Sequence, residues 1–129
     1  MRNSTFDTAR ARLDRFVRAQ AGAMRDLAGF GWQGDPHAPG DFRGLTEAYV
    51  RSQLSGVPLP VSDAHSDQTI FGSRRGNLAF RFWHDLTHLR LGRGFDLDGE
   101  IEVANAQLDV ARASGFGPGT LEFELLRAP

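Results

Sequence analysis

Between residues 5 and 28, apolar side chains recur at helical spacing. Phe6, Ala9, Leu13, Phe16, Val17, Met24 and Leu27 share one side, while Arg15, Arg18 and Asp26 fall elsewhere. With Ser4 or Thr5 as cap and Gly29 or Gly31 as stop, the pattern predicts a first helix over 5–28. Its stripe is expected in the core, with the groove of a partner helix as the alternative. "GWQGDPHAPGDFRG" (31–44) reads as loop from its Gly, Pro and Asp content. A short helix, "LTEAYVRSQLSG" (45–56), should follow. In "VPLPVSDAHSDQTIF" (57–71), Pro58 and Pro60 forbid helix and disfavour a central strand, leaving "QTIF" as one short strand.

A second long helix is expected from Asn77, read as its cap, to about Leu91 ahead of Gly92 and Gly94. A third should run from about Asp98 to Ala113, ending at "SGFGPG". In the tail, Leu121, Phe123 and Leu125 alternate with Glu122 and Glu124, the period of a half-buried strand. A last helix capped by Thr120 is the alternative. The expectation is a mainly α, single-domain protein over 1–129 carrying one short β element, with an α+β arrangement as the alternative.

Composition narrows the chemistry. The 129 residues are 40% hydrophobic and 24% charged, as in a soluble globular domain with its own core. There is no cysteine, which excludes disulfides and thiolate metal sites and leaves His, Asp, Glu or amide ligands for any metal. Net charge is −1, so bulk electrostatics do not indicate nucleic acid. All basic residues are arginine, a pattern that the codon bias of a GC-rich genome accounts for. No apolar run reaches the roughly 18 residues of a membrane span, and the N-terminal residues lack a secretory apolar segment, so a cytoplasmic location is expected.

The chemistry concentrates in "RFWHDLTHLRLG" (81–92). On a helix, His84 and His88 project about 40° apart on one face, the spacing at which two imidazoles reach one zinc. Leu78, Phe82, Leu86 and Leu89 fill most of the remaining circumference, so this helix should be buried. A buried imidazole needs a hydrogen bond or a metal at each nitrogen, and a hydrogen-bonded core pair stands as the alternative to a metal site. A third ligand comes from "DGEIEVANAQLDVA". On that helix Glu100 points within about 20° of the apolar stripe formed by Leu97, Val103, Ala104, Leu108, Val110 and Ala111, whereas Glu102 falls on the far face with Asp109. A carboxylate on an apolar face needs a cation, so Glu100 is the expected ligand. The competing role for Glu100 is to complement the helix dipole.

"HDLTHLRLG" followed by "GEIEVANAQL" resembles the IrrE/ImmA-like zincin metallopeptidases, in which His-Glu-x-x-His precedes a Glu-rich helix start. "SRRGNLAFRFW", just ahead, is similar to that family's arginine-containing lead-in, so the resemblance covers about residues 69–110. It implies a Zn²⁺ ion on His84, His88 and Glu100, with Asp85 in the position of the catalytic glutamate. Aspartate is one methylene shorter, and withdrawing a general base by more than about 1 Å can cost on the order of 10²-fold in rate. The gap from His88 to Glu100 is also tighter than in the family, and the Glu/Ala-Asn register is off by one residue.

Elsewhere, Asp63, His65 and Ser66 lie too close in sequence to converge as a triad, and His37, in a Pro-rich loop, should be solvated. Arg74, Arg75, Arg81, Arg90 and Arg93 make the surroundings of the His helix positive, a feature that suits phosphate or an acidic partner. Two functions follow as expectations. One is a small zincin-like zinc-binding protein, a weak or degenerate metallopeptidase with Asp85 as a poor catalytic base. The other is a non-enzymatic helical binding or inhibitory protein acting through a protein partner, with the His helix as core.

Overall fold

The computed structural model describes residues 3–64 and 70–127. Helix α1 (Asn3–Ala28) buries Ala9, Leu13, Val17 and Ala21, four residues apart along one ridge. The ends of the expected stripe stay outside this contact: Phe6 is 41% and Leu27 90% exposed. Gly29, at φ 89°, closes the helix with its N–H on the Arg25 carbonyl at 2.9 Å.

The expected loop over 31–44 needs correction, because its first residues form strand β1 (Trp32–Asp35). Helix α2 (Phe42–Ser55) follows, starting three residues earlier than expected because the Asp41 side chain accepts the Gly44 N–H at 2.8 Å. Strand β2 (Leu59–Ser62) then returns parallel to β1, pairing Trp32 with Leu59 and Gly34 with Val61. The short β element is therefore a β1–α2–β2 crossover. Pro60 fits within β2 because the Leu59 N–H reaches the Gly31 carbonyl at 2.9 Å; alternate amides point opposite ways, so the proline nitrogen faces the free edge. Four-residue strands carry too few positions to show a period, so neither could be read from pattern. Of the expected strand "QTIF", Ile70 and Phe71 lie in a turn, while Gln68 and Thr69, like His65 and Ser66, lie outside the described residues.

Helix α3 (Arg74–Leu91) is the axis of the fold. Its cap is Ser73, not Asn77: the Ser73 hydroxyl accepts the Gly76 N–H at 2.9 Å and donates to Asp14 on α1 at 2.7 Å. Gly76 permits this approach, since a Cβ there would lie 1.9 Å from Asp14 Oδ1. One face of α3 carries Ala79, Phe82 and Leu86 into a core with Ala21, Phe30, Leu45, Ala48, Leu59 and Val61. Another carries Trp83 into a second cluster with Leu13, Val17 and Phe71. Phe82 stacks on Trp32 at 4.8 Å between ring centroids and is fully buried.

Helix α4 (Leu97–Ala113) packs on α3, and α5 (Leu121–Arg127) on α1 and α4. The tail is thus helix and not the half-buried strand that its alternation suggested. Thr120 Oγ1 accepts the Phe123 N–H at 3.1 Å, and Phe123 is buried while Leu125 and Leu126 pack on the second cluster. Among the described residues no helix is long and apolar enough to cross a membrane.

This packing predicts unequal costs. Phe82→Ala should lose about 3–5 kcal/mol of unfolding free energy. Leu27→Ala should stay within about 0.5 kcal/mol. Urea unfolding followed by circular dichroism measures both, and comparable losses would contradict the placement of the core.

Candidate metal centre

His84 and His88 stand on the face of α3 that meets the first turn of α4. His88 is fully buried, and the end of its own helix determines how it is held. Gly92, at φ 66°, turns the chain back, so that the Arg93 N–H bonds the His88 carbonyl at 3.1 Å. The same turn brings the Arg93 carbonyl to within 2.8 Å of His88 Nδ1. A carbonyl only accepts, so Nδ1 carries the proton, and in the neutral ring Nε2 presents a lone pair. Phe95 packs edge-on against the ring at 4.8 Å.

His84, one turn earlier, is bonded through Nδ1 to Gln107 Oε1 at 2.8 Å. With the amide oxygen toward it, this ring too donates from Nδ1 and leaves Nε2 free of hydrogen when neutral. Phe80 stacks on its other side at 5.8 Å.

Glu100 completes a triangle. Its Oε1 lies 3.0 Å from His84 Nε2 and 3.0 Å from His88 Nε2, and the two nitrogens are 3.2 Å apart. Capping of α4 falls to Asp96, whose Oδ1 accepts the Gly99 N–H at 2.8 Å, so the Glu100 side chain turns to the imidazoles. Gly99 permits the tight entry: a Cβ there would lie 2.1 Å from the Gly94 carbonyl oxygen.

Three lone pairs converging at about 3 Å repel one another unless they share a cation. Zinc bonds of about 2.0–2.1 Å in a tetrahedron put ligand atoms about 3.3 Å apart, close to this triangle. Two imidazoles and a carboxylate oxygen, each imidazole tied through its other nitrogen to a carbonyl or amide oxygen, are donors of the kind that divalent metal ions take. Together these three residues form a group that could bind a metal ion.

The other residues named from the sequence lie outside this triangle. Glu102 is exposed and forms an ion pair with Arg93. Asp85 is partly buried and makes no hydrogen bond among the described residues; burial pushes its carboxyl up from 3.8 to about 7, against the opposing pull of His88 and Arg81. The arginines flanking α3 are in part engaged: Arg74 pairs with Asp63 at 3.5 Å, and Arg81 bonds the Ala64 carbonyl at 2.7 Å. His37 is exposed.

The phase expected for α4 is also revised. Leu97 is 75% exposed and Ala104 is exposed, whereas Gly99, Val103, Gln107 and Ala111 form the buried row. Glu100 sits at the border of that row. Sequence reasoning passed over Gln107, although a residue seven positions after Glu100 lies only about 20° from it on a helix. That amide was the available signal. Comparison with protein-family models, curated proteins and solved structures finds no match for this chain.

A pH dependence follows for the metal-free protein. Around Asp85 stand Arg81 and His88 on its own helix and Glu100 from α4. Its folded-state carboxyl holds a proton up to about pH 7, whereas the unfolded chain releases it near 3.8. Between those values the folded state binds more protons, so stability should fall as pH rises through the window and level off above it. Asp85→Asn should flatten that fall in urea midpoints measured in chelator. An unchanged slope would assign the dependence to other groups.

Proposed function

We propose that the chain is a small zinc-binding protein of zincin-like arrangement, with His84, His88 and Glu100 as ligands, and that it is at most a weak peptidase. The observation that carries this reading is the 3.0–3.2 Å triangle of lone-pair donors, with both Nδ1 atoms bonded elsewhere. Zinc held by these residues would supply Lewis acidity. The protein's own part is to orient the rings through Arg93 and Gln107 and to shield His88 from water. Hydrolysis is disfavoured on two grounds. Asp85 is one carbon–carbon bond shorter than a glutamate base. It also does not border the cavity on which His84 and Glu100 open, which is lined from α3 by Phe80 and His84.

A second reading, a binding or inhibitory protein, is favoured by a different observation. A groove of about 610 Å³ between α1, α2 and α3 is lined by Met24, Leu27, Phe42, Tyr49, Val50 and Leu89, apolar side chains of the kind that partner proteins cover. In that reading the histidine cluster is core, held by the contacts among His84, His88, Glu100 and Gln107.

The two readings part under chelation. Protein purified without a nickel column should carry about one equivalent of zinc, and His88→Ala should lose it. Chelator at pH 8 should lower the melting temperature by several degrees, since removal of a site-bound ion withdraws binding free energy from the folded state. A metal-free protein whose stability is indifferent to chelator, and iron in place of zinc, are the two results that contradict the assignment. Glu100→Gln should weaken zinc at least about tenfold, while Glu102→Gln should change it by less than about twofold. A larger effect at Glu102 would contradict the ligand set.

A further inference from the structure

Two apolar surfaces of the described residues are open to solvent. One is the groove of about 610 Å³ between α1, α2 and α3, where Met24, Phe42, Tyr49 and Leu89 are partly buried and Leu27 and Val50 are exposed. The other is a stripe on α4. Leu97, Ile101, Ala104 and Leu108 recur at intervals of four, three and four residues, the spacing of a coiled-coil seam, and fall within about 60° of one another on the helix. Leu97, Ile101 and Ala104 are exposed, and Leu108 is half-buried. Contiguous exposed apolar side chains of this kind mark a contact site, whereas scattered ones do not.

The two surfaces match in length and in charge. Along α2 the groove extends from Phe42 to Gln53, and the stripe runs from Leu97 to Leu108; at about 1.5 Å per residue each covers about 16 Å. Arg90 is the one charged side chain lining the groove, and its guanidinium has no partner among the described residues. Beside the stripe, the Asp98 carboxylate is likewise without a partner among them. α4 carries four acidic residues against one arginine, whereas α1, a wall of the groove, carries five arginines against three aspartates. Packing α4 on a second α4 would bring two acidic helices together, so charge favours the groove as the surface that the stripe meets. One molecule cannot join its own two surfaces. α3 turns Phe80 and His84 toward the α4 side and Leu86 and Leu89 toward the groove, roughly opposite sides of the helix.

We propose that copies of this chain associate head to tail, the α4 stripe of one copy lying in the groove between α1 and α2 of the next, its acidic flank toward Arg90. This rests on the reading of that groove as a surface that a protein covers, names a second copy as the occupant, and is independent of any metal. Stripe and groove are different surfaces, so the contact is heterologous: every assembly that does not close into a ring keeps one free groove and one free stripe. A single helix in a groove is a small interface, which sets the dissociation constant on the order of 10–100 μM.

Sedimentation velocity of the full chain should show a mass that rises with concentration from about 1 to about 500 μM. Leu27→Glu, in the groove, and Ile101→Glu, on the stripe, should each stay monomeric over that range while keeping the wild-type circular dichroism. Val50→Glu and Leu97→Glu repeat the two disruptions at other exposed positions. An equimolar mixture of Leu27→Glu and Ile101→Glu should form a dimer and nothing larger, because one intact stripe then meets one intact groove. Arg90→Glu should weaken association roughly three- to tenfold. Wild type that is monomeric throughout overturns the second-copy assignment and leaves the groove to a different protein. Association that survives both Leu27→Glu and Val50→Glu overturns the reading of the groove as well. Association lost in Leu27→Glu but kept in Ile101→Glu and Leu97→Glu, or a mixture that stays monomeric, overturns the head-to-tail arrangement.

Discussion

A fully buried imidazole must satisfy both of its nitrogens, and the way His88 does so organises the segment from residue 88 to residue 100. Its Nδ1 is met by the carbonyl of Arg93, five residues on, which is possible only because α3 stops at a left-handed Gly92 and folds back over its last turn. That turn places Phe95 against the ring, puts Asp96 in position to cap α4, and brings Gly94 against Gly99 at a separation that excludes a side chain. Glu100 follows one residue later, and its carboxylate arrives at the second nitrogen of His88. The short spacing between histidine and glutamate follows from this closed circuit of cap, turn and cap.

The rest of the fold supplies rigidity to that circuit. α3 is held on two other faces, by Phe82 in one apolar cluster and Trp83 in another. The crossover of β1, α2 and β2 covers the first of these, and α1 and α5 cover the second. A helix immobilised on both flanks can present two histidines without losing much further entropy when they are engaged. The site therefore lies at the edge of the core and not within it, with one wall of packed aromatic rings and one wall formed by the start of α4.

Exposure is graded across the three donors. The His88 side chain is fully buried, that of His84 is 25% exposed and that of Glu100 42% exposed. The closed end anchors, while the open end faces the cavity lined by Phe80, Leu108 and Leu126. Asp85 lies about 100° around α3 from His84, away from Phe80. Asp85 therefore does not border the cavity on which His84 and Glu100 open.

Periodicity was enough to reveal the long helices, because each carries several turns of apolar positions and a capping residue within two or three residues of its end. The histidine pair and the separate positions of Glu100 and Glu102 were legible for the same reason: positions on one helix have a fixed phase. What the sequence could not settle depended on contacts between distant segments. β1 and β2 exist because residues 27 apart in sequence pair, and four residues show no period of their own. The tail alternates like a strand, but Thr120 caps it and it packs as a helix against α1 and α4. Gln107 became part of the site only once α4 was laid against α3, because a lone amide on a helix signals nothing until its neighbour across the interface is an imidazole. Local phase is written in the chain; the partner of each buried polar group is decided by tertiary packing, which alone brings that partner within hydrogen-bond reach.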